Sequence, residues 1–371
     1  MDLSSCRHGR DTASPVPHQR RHPRPDPTSA APRFDGIPRR PCRLASVRRR
    51  QDGSARACDR LRLGVGRHYH PPRLDFLARK DRLSSLARHC RYFLRCCCTL
   101  GAVEGALNPD EIRAAQARFE PMFSGTFETG LYPDEWNWRL GRDREDLTRQ
   151  ICNGWKSDLT IASIVLRADI GEACARLRGW PGARIGQDNV IWKPPGGKPL
   201  GFHQDDSYNG WIIPGEMMTC WITLDDTKAV QDTIEHVKGS HLWPISPPIK
   251  QFHAPDDALA DLRPAAKAAG ISVYQIVPIE VPAGTAVFHH GRTWHGSRDN
   301  KGANPRRSVI AHCISSTAKF HPHQISYIYS RYKKAQSTEM DESYFPVLWQ
   351  QDGYRTAWLD GYMRSGRAAA A

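Results

Sequence analysis

The chain of 371 residues has no run of about 18 apolar residues, so no segment reads as a transmembrane helix. No apolar stretch follows the start, which argues against a secretory signal. Eleven cysteines are present, yet Cys152, Cys174, Cys220 and Cys313 stand at no spacing that suits a disulfide framework or a thiolate metal site. Free thiols in a reducing, cytoplasmic setting are expected. Glutamate is missing altogether from the first hundred residues, and lysine occurs there once. No internal repeat is visible.

What the first hundred residues do have is arginine, 22 of them, against 8 aspartates. They carry a net +15, whereas the remaining residues hold 30 basic and 31 acidic side chains. The +14 of the whole chain is therefore a property of one end, and it gives no reason to expect the rest to bind nucleic acid or a membrane surface. Residues 1–100 are rich in Pro, Ser and His, with few apolar residues at any period, and are expected to be largely disordered. Three readings fit them: a non-native extension, which suits the composition best, an Arg-rich organelle leader, and a basic arm. The folded unit is expected over 101–360.

Helix signals begin after Gly101. In "NPDEIRAAQARF", Asn108 can cap, Pro109 takes the first helical position and Glu111 the third. Residues 158–180 read as two short amphipathic helices. Beyond Gly182 come short β-rich runs bounded by Gly, Pro and Asp, among them "ARIGQDNVIWKPP", "MMTCWITLDD" and "RRSVIAHCISS". The expected fold is mainly β: a double-stranded β-helix, or jelly roll, spanning about 183–317 with helices packed on it from the N-terminal side. The aromatic tail after residue 324 is expected to serve as a lid or a helix over one sheet.

The chemistry centres on "GFHQDDSY". In an extended segment residues i and i+2 face the same way, so His203 and Asp205 can approach one metal ion together. A non-haem Fe(II) centre needs one further histidine and leaves its opposite face open. The segment "VFHHGRTWHGSRDN" offers His289, His290 and His295, with His295 preferred because "WHGS" leads through a turn into a strand bearing arginines. On that strand alternation sends Arg306 and Ser308 to one face and Arg307 to the other. A guanidinium fork beside a hydroxyl suits a carboxylate, such as the far end of a 2-oxo-dicarboxylate that chelates iron through its keto acid end. Arg307 is expected on the surface, and His241, His289 and His290 in supporting roles.

Taken together, "HQDDSY", "CWITLDD", "KGSHLWP", "WHGSRDN" and "RRSVIAH" resemble the phytanoyl-CoA dioxygenase family of Fe(II)/2-oxoglutarate oxygenases, over about residues 105–345. The resemblance implies Fe(II) on His203, Asp205 and His295, with 2-oxoglutarate and O2 as co-substrates. It places the co-substrate arginine at Arg306, eleven residues after His295, and the co-substrate serine at Ser297, two after it. It places the family's tryptophan at Trp221 and a further co-substrate contact at Asn189. One departure is the turn in "QDTIEHVKGSH", where many relatives carry Asn-Gly. Halogenating relatives replace the carboxylate ligand with a small residue, so a retained Asp205 implies hydroxylation. The expected activity is hydroxylation of a small organic substrate, with succinate and CO2 as co-products. The contrasting reading is a jelly roll that binds a metal or small molecule without turnover.

Overall fold

The computed structural model describes residues 101–229 and 233–369. The expectations for residues 1–100 lie outside them. The strands, in chain order, are β1 (Gly101–Val103), β2 (Glu135–Trp136), β3 (Arg149–Cys152), β4 (Gly182–Lys193), β5 (Leu200–His203), β6 (Ile212–Ile213) and β7 (Met218–Thr223). They continue with β8 (Glu235–Val237), β9 (Ile276–Pro278), β10 (Ala286–His290), β11 (His295–Ser297), β12 (Arg306–Ser315), β13 (Lys319–Phe320) and β14 (Val347–Gln350). The helices are α1 (Pro109–Phe123), α2 (Leu159–Val165), α3 (Ala168–Arg178), α4 (Leu262–Ala268) and α5 (Leu359–Ala369).

Local chemistry sets the helix ends. The Asn108 side chain accepts the Glu111 N–H at 2.8 Å, and the Glu111 carboxylate accepts the Asn108 N–H at 2.8 Å, a reciprocal capping box at the start of α1. Asp158 caps α2 by accepting the Ile161 N–H at 3.0 Å. Gly179 ends α3 with φ of +72°, a conformation that a Cβ disfavours.

The strands form an antiparallel eight-stranded sheet in the order β1-β10-β7-β12-β4-β3-β2, with β14 also paired to β4, and a four-stranded sheet in the order β5-β11-β8-β9. The larger sheet is the double-sided layer of the fold. One face, carrying Cys220, Ile222, Phe288, Val309, Ala311 and Cys313, is buried against apolar residues of α1, α2 and α3. The other face, carrying Trp221 and Val287, turns toward the smaller sheet. This is the jelly-roll arrangement expected from the sequence.

The sheet recruits more than the expected span of 183–317. β1, β2 and β3 precede it and β14 follows it. The long β4 leaves one edge open beyond β12, and β3 and β14 share that edge in turn. The tail therefore contributes a strand as well as helix α5. Ahead of that strand, Ile328, Tyr329, Met340 and Phe345 form a separate core with Trp211, Ile212 and Met217. The tail is a packed layer and not a simple lid. The four described cysteines are free and buried.

Candidate metal and co-substrate site

His203 closes β5 and His295 opens β11, and the two are direct cross-strand partners. Each imidazole is aimed by its own backbone neighbourhood. The Nδ1–H of His203 donates to the Gly201 carbonyl at 2.9 Å, and that of His295 to the Thr293 carbonyl at 2.9 Å. A carbonyl oxygen only accepts, so both rings carry the proton on Nδ1 and present an Nε2 lone pair to the interior.

The extended backbone runs on through Gln204 (φ −113°, ψ 129°), and Asp205 then starts a short 3-10 turn, Asp205–Tyr208. The i, i+2 relation thus holds although Asp205 is no longer in the strand. Its Oδ1 lies 3.5 Å from His203 Nε2 and 3.6 Å from His295 Nε2. One donor atom from each of the three residues falls within 4.8 Å of the others. The Thr219 hydroxyl donates to the other oxygen, Oδ2, at 2.6 Å, and His289 Nε2 lies 3.3 Å from it.

The protonation states suit ligation. Burial alone would raise the Asp205 carboxyl. Its histidine surroundings, His295 and His312 foremost, reverse this and hold it well below the usual carboxylate range. Burial pushes His295 well below the ordinary imidazole value and His312 down to about 4. A carboxylate faced by neutral imidazoles is the state a divalent cation requires. Two histidines and one carboxylate on one side of a cavity fit Fe(II) by donor type and count.

The cavity runs from these three residues along the inner face of the larger sheet. All eight residues singled out in the sequence line it: His203, Asp205, His295, Asn189, Trp221, Ser297, Arg306 and Ser308. Alternation along β12 puts Arg306, Ser308, Ile310 and His312 on this face. Arg307 points away and pairs with Asp225, its Nη2 2.7 Å from Oδ1. The Ser308 hydroxyl is buried and has no hydrogen-bond partner among the described residues. An orphaned hydroxyl beside a buried guanidinium is a fitting receptor for a carboxylate. Trp221, Ile234 and Ile310 supply apolar wall.

Some neighbours escaped sequence reasoning. Lys193 is fully buried and is the cross-strand partner of Arg306. Its Nζ donates to the Ser297 hydroxyl at 2.8 Å, which leaves the Ser297 proton to be donated onward. Thr219 and His312 stand two residues before Trp221 and four after Ser308, so the same alternation could have placed them on the cavity face. His290 lies on the opposite face, where Arg178 contacts its Nε2, and the His241 ring lies near it, tilted, at 5.9 Å between ring centroids.

Known proteins share parts of this chain's sequence and fold. The family description "Phytanoyl-CoA dioxygenase (PhyH)" matches residues 101–308. An Arabidopsis thaliana protein named phytanoyl-CoA dioxygenase is 27% identical over 131 residues, 35% of this chain and 44% of that protein, so the match spans less than half of the relative. Among solved structures, the non-heme alpha ketoglutarate dependent epimerase SnoN from nogalamycin biosynthesis is similar over 72% of this chain and 99% of its own, at 20% identity and a TM-score of 0.53. The alpha ketoglutarate dependent carbocyclase SnoK is similar over 73% and 98%, at 22% identity and a TM-score of 0.53. These two share the fold. No helix among the described residues is long and apolar enough to cross a membrane. The match over residues 101–308 covers more than half of the chain, which therefore belongs to the phytanoyl-CoA dioxygenase family.

Proposed function

We propose that the protein is an Fe(II)- and 2-oxoglutarate-dependent dioxygenase that hydroxylates a small organic substrate, with residues 101–360 as the catalytic unit. The observation that carries this reading is the convergence of His203, Asp205 and His295 at one end of a cavity whose far end holds Arg306 and the unpartnered Ser308 hydroxyl. His203, Asp205 and His295 would hold the metal. Arg306 and Ser308 would take the distal carboxylate of 2-oxoglutarate. Ser297, braced by Lys193, has a proton to give to the same co-substrate, and Asn189 and Trp221 border it. Bound iron with 2-oxoglutarate supplies the oxidising power of O2, with release of succinate and CO2.

The chain's own part is to bind, orient and keep water out. The backbone carbonyls of Gly201 and Thr293 fix the two imidazoles, and Trp221, Ile234 and Ile310 make the wall apolar. Asp205 as a ligand carboxylate supports hydroxylation as the outcome. The test is oxygen-dependent formation of succinate from 2-oxoglutarate by the Fe(II)-loaded protein, followed by a mass-spectrometric screen for products heavier by one oxygen atom. Metal binding without any succinate would support the non-catalytic binding reading instead.

A further inference from the structure

Asp205 sits between two rows of side chains. On the smaller sheet, His203 and His295 are cross-strand partners facing Oδ1. On the larger sheet, His289, Thr219 and His312 are cross-strand partners on β10, β7 and β12, facing Oδ2. The two rows are in contact, with the rings of His289 and His295 4.5 Å apart.

The hydrogen bonds of the second row have only one consistent direction. A carboxylate accepts, so the single Thr219 proton goes to Asp205 Oδ2. The Thr219 oxygen, 2.9 Å from His312 Nδ1, must then accept from it. His312 is therefore protonated on Nδ1, and its Nε2 accepts from the Asn189 amide at 2.9 Å. The Asn189 carbonyl oxygen in turn accepts from the Gln150 and Gln187 amides, each at 3.1 Å. The Tyr329 hydroxyl, from the aromatic tail layer, donates to Gln187. Each group in the chain has its orientation set by the next.

We propose that Thr219 and His312 are positioning residues that hold Asp205 with one oxygen, Oδ1, toward the metal and the other withheld. This rests on the assignment of His203, Asp205 and His295 as the metal ligands. Without the Thr219 hydroxyl, only the longer 3.3 Å contact with His289 holds Oδ2, and the carboxylate can turn about its Cβ–Cγ bond and offer both oxygens, which would take up a coordination position needed by the co-substrate. His312 acts one step back. It keeps the Thr219 lone pair engaged so that its proton has nowhere to go but Oδ2.

Co(II) is the probe, added to the metal-free full chain, with affinity and visible absorption as readouts. Thr219→Val should lower Co(II) affinity about 10- to 100-fold and alter the absorption bands, while Thr219→Ser restores both. His312→Leu should behave like Thr219→Val, and His312→Gln, which can still donate to Thr219, should lie near the wild type. The position-312 pair decides the matter if the valine variant does not fold. Wild-type affinity and spectrum in Thr219→Val or in folded His312→Leu, with binding lost in Asp205→Ala, would overturn the positioning role alone. Unchanged Co(II) binding in Asp205→Ala would instead overturn the ligand assignment, and this proposal with it.

Discussion

His203 and His295 lie directly opposite each other across the β5–β11 pair, with ring centroids 4.2 Å apart. They are 92 positions apart in the chain, so the pairing of two short strands alone makes them neighbours. Replacing either one, or Asp205, by Ala is expected to abolish Fe(II) binding and turnover, because a three-ligand site with one ligand missing loses geometry as well as affinity. His290→Ala is the control. Its ring lies on the far face beside Arg178 and should leave metal binding intact, as a titration with Fe(II) under nitrogen would show.

Gly296 makes that pairing close. A Cβ there would lie 2.6 Å from the Phe202 ring and 2.9 Å from the Phe202 Cα, and the ladder shifts register between His295 and Ser297. Gly296→Ala is expected to push β11 off β5, costing roughly 1–3 kcal/mol of stability. Metal affinity should fall with it. Thermal unfolding and metal titration of the variant check the two effects separately.

Arg306→Ala should raise the 2-oxoglutarate concentration needed for half-maximal turnover by about 30- to 150-fold, the equivalent of roughly 2–3 kcal/mol for a lost charge-assisted pair. Arg307→Ala loses only the partly exposed pair with Asp225 and should leave that concentration unchanged, at about 1 kcal/mol or less in stability. Steady-state kinetics on both variants measures the contrast. The reverse result would mean that β12 presents its other face to the cavity.

Asp188 is fully buried behind the sheet and accepts the backbone N–H groups of Gly154 and Trp155 at 3.1 Å each. Burial outweighs these bonds and raises its carboxyl to about 7. Between the ordinary aspartate value, about 4, and 7 the folded chain holds a proton that the unfolded chain has released. Stability contributed by Asp188 is therefore present below about pH 4 and is lost as pH rises to about 7. Unfolding midpoints measured across that window should show a downward contribution that disappears in Asp188→Asn.

The eight candidate site residues all follow Gly101, and the +15 charge excess all precedes it. A chain starting at Gly101, which retains β1, is expected to match the full chain in succinate formation per mole of enzyme. A large loss of turnover in the shortened chain would show that the first hundred residues contribute to the catalytic unit.

By itself the sequence determined the features that depend on neighbours along the chain. The capping box at Asn108 and Glu111, the pair of helices between 158 and 180, the shared side of His203 and Asp205, and the split between Arg306 and Arg307 all follow from fixed helical or extended periods. Period tells which face a side chain occupies but not which strand lies beside it. Hence β1, β2, β3 and β14 were not legible: each is two to four residues long, and the open edges of β10 and β4, with β3 in turn for β2, give them their partners. The roles of Thr219, His312 and Lys193 were hidden for the same reason. Thr219 meets Asp205 Oδ2, and Lys193 stands opposite Arg306, only through registers and a sheet-on-sheet approach that no local pattern encodes. Tertiary packing also chose His295 over His289, because the smaller sheet sets His295 across from His203 while the larger one turns His289 to the back of Asp205.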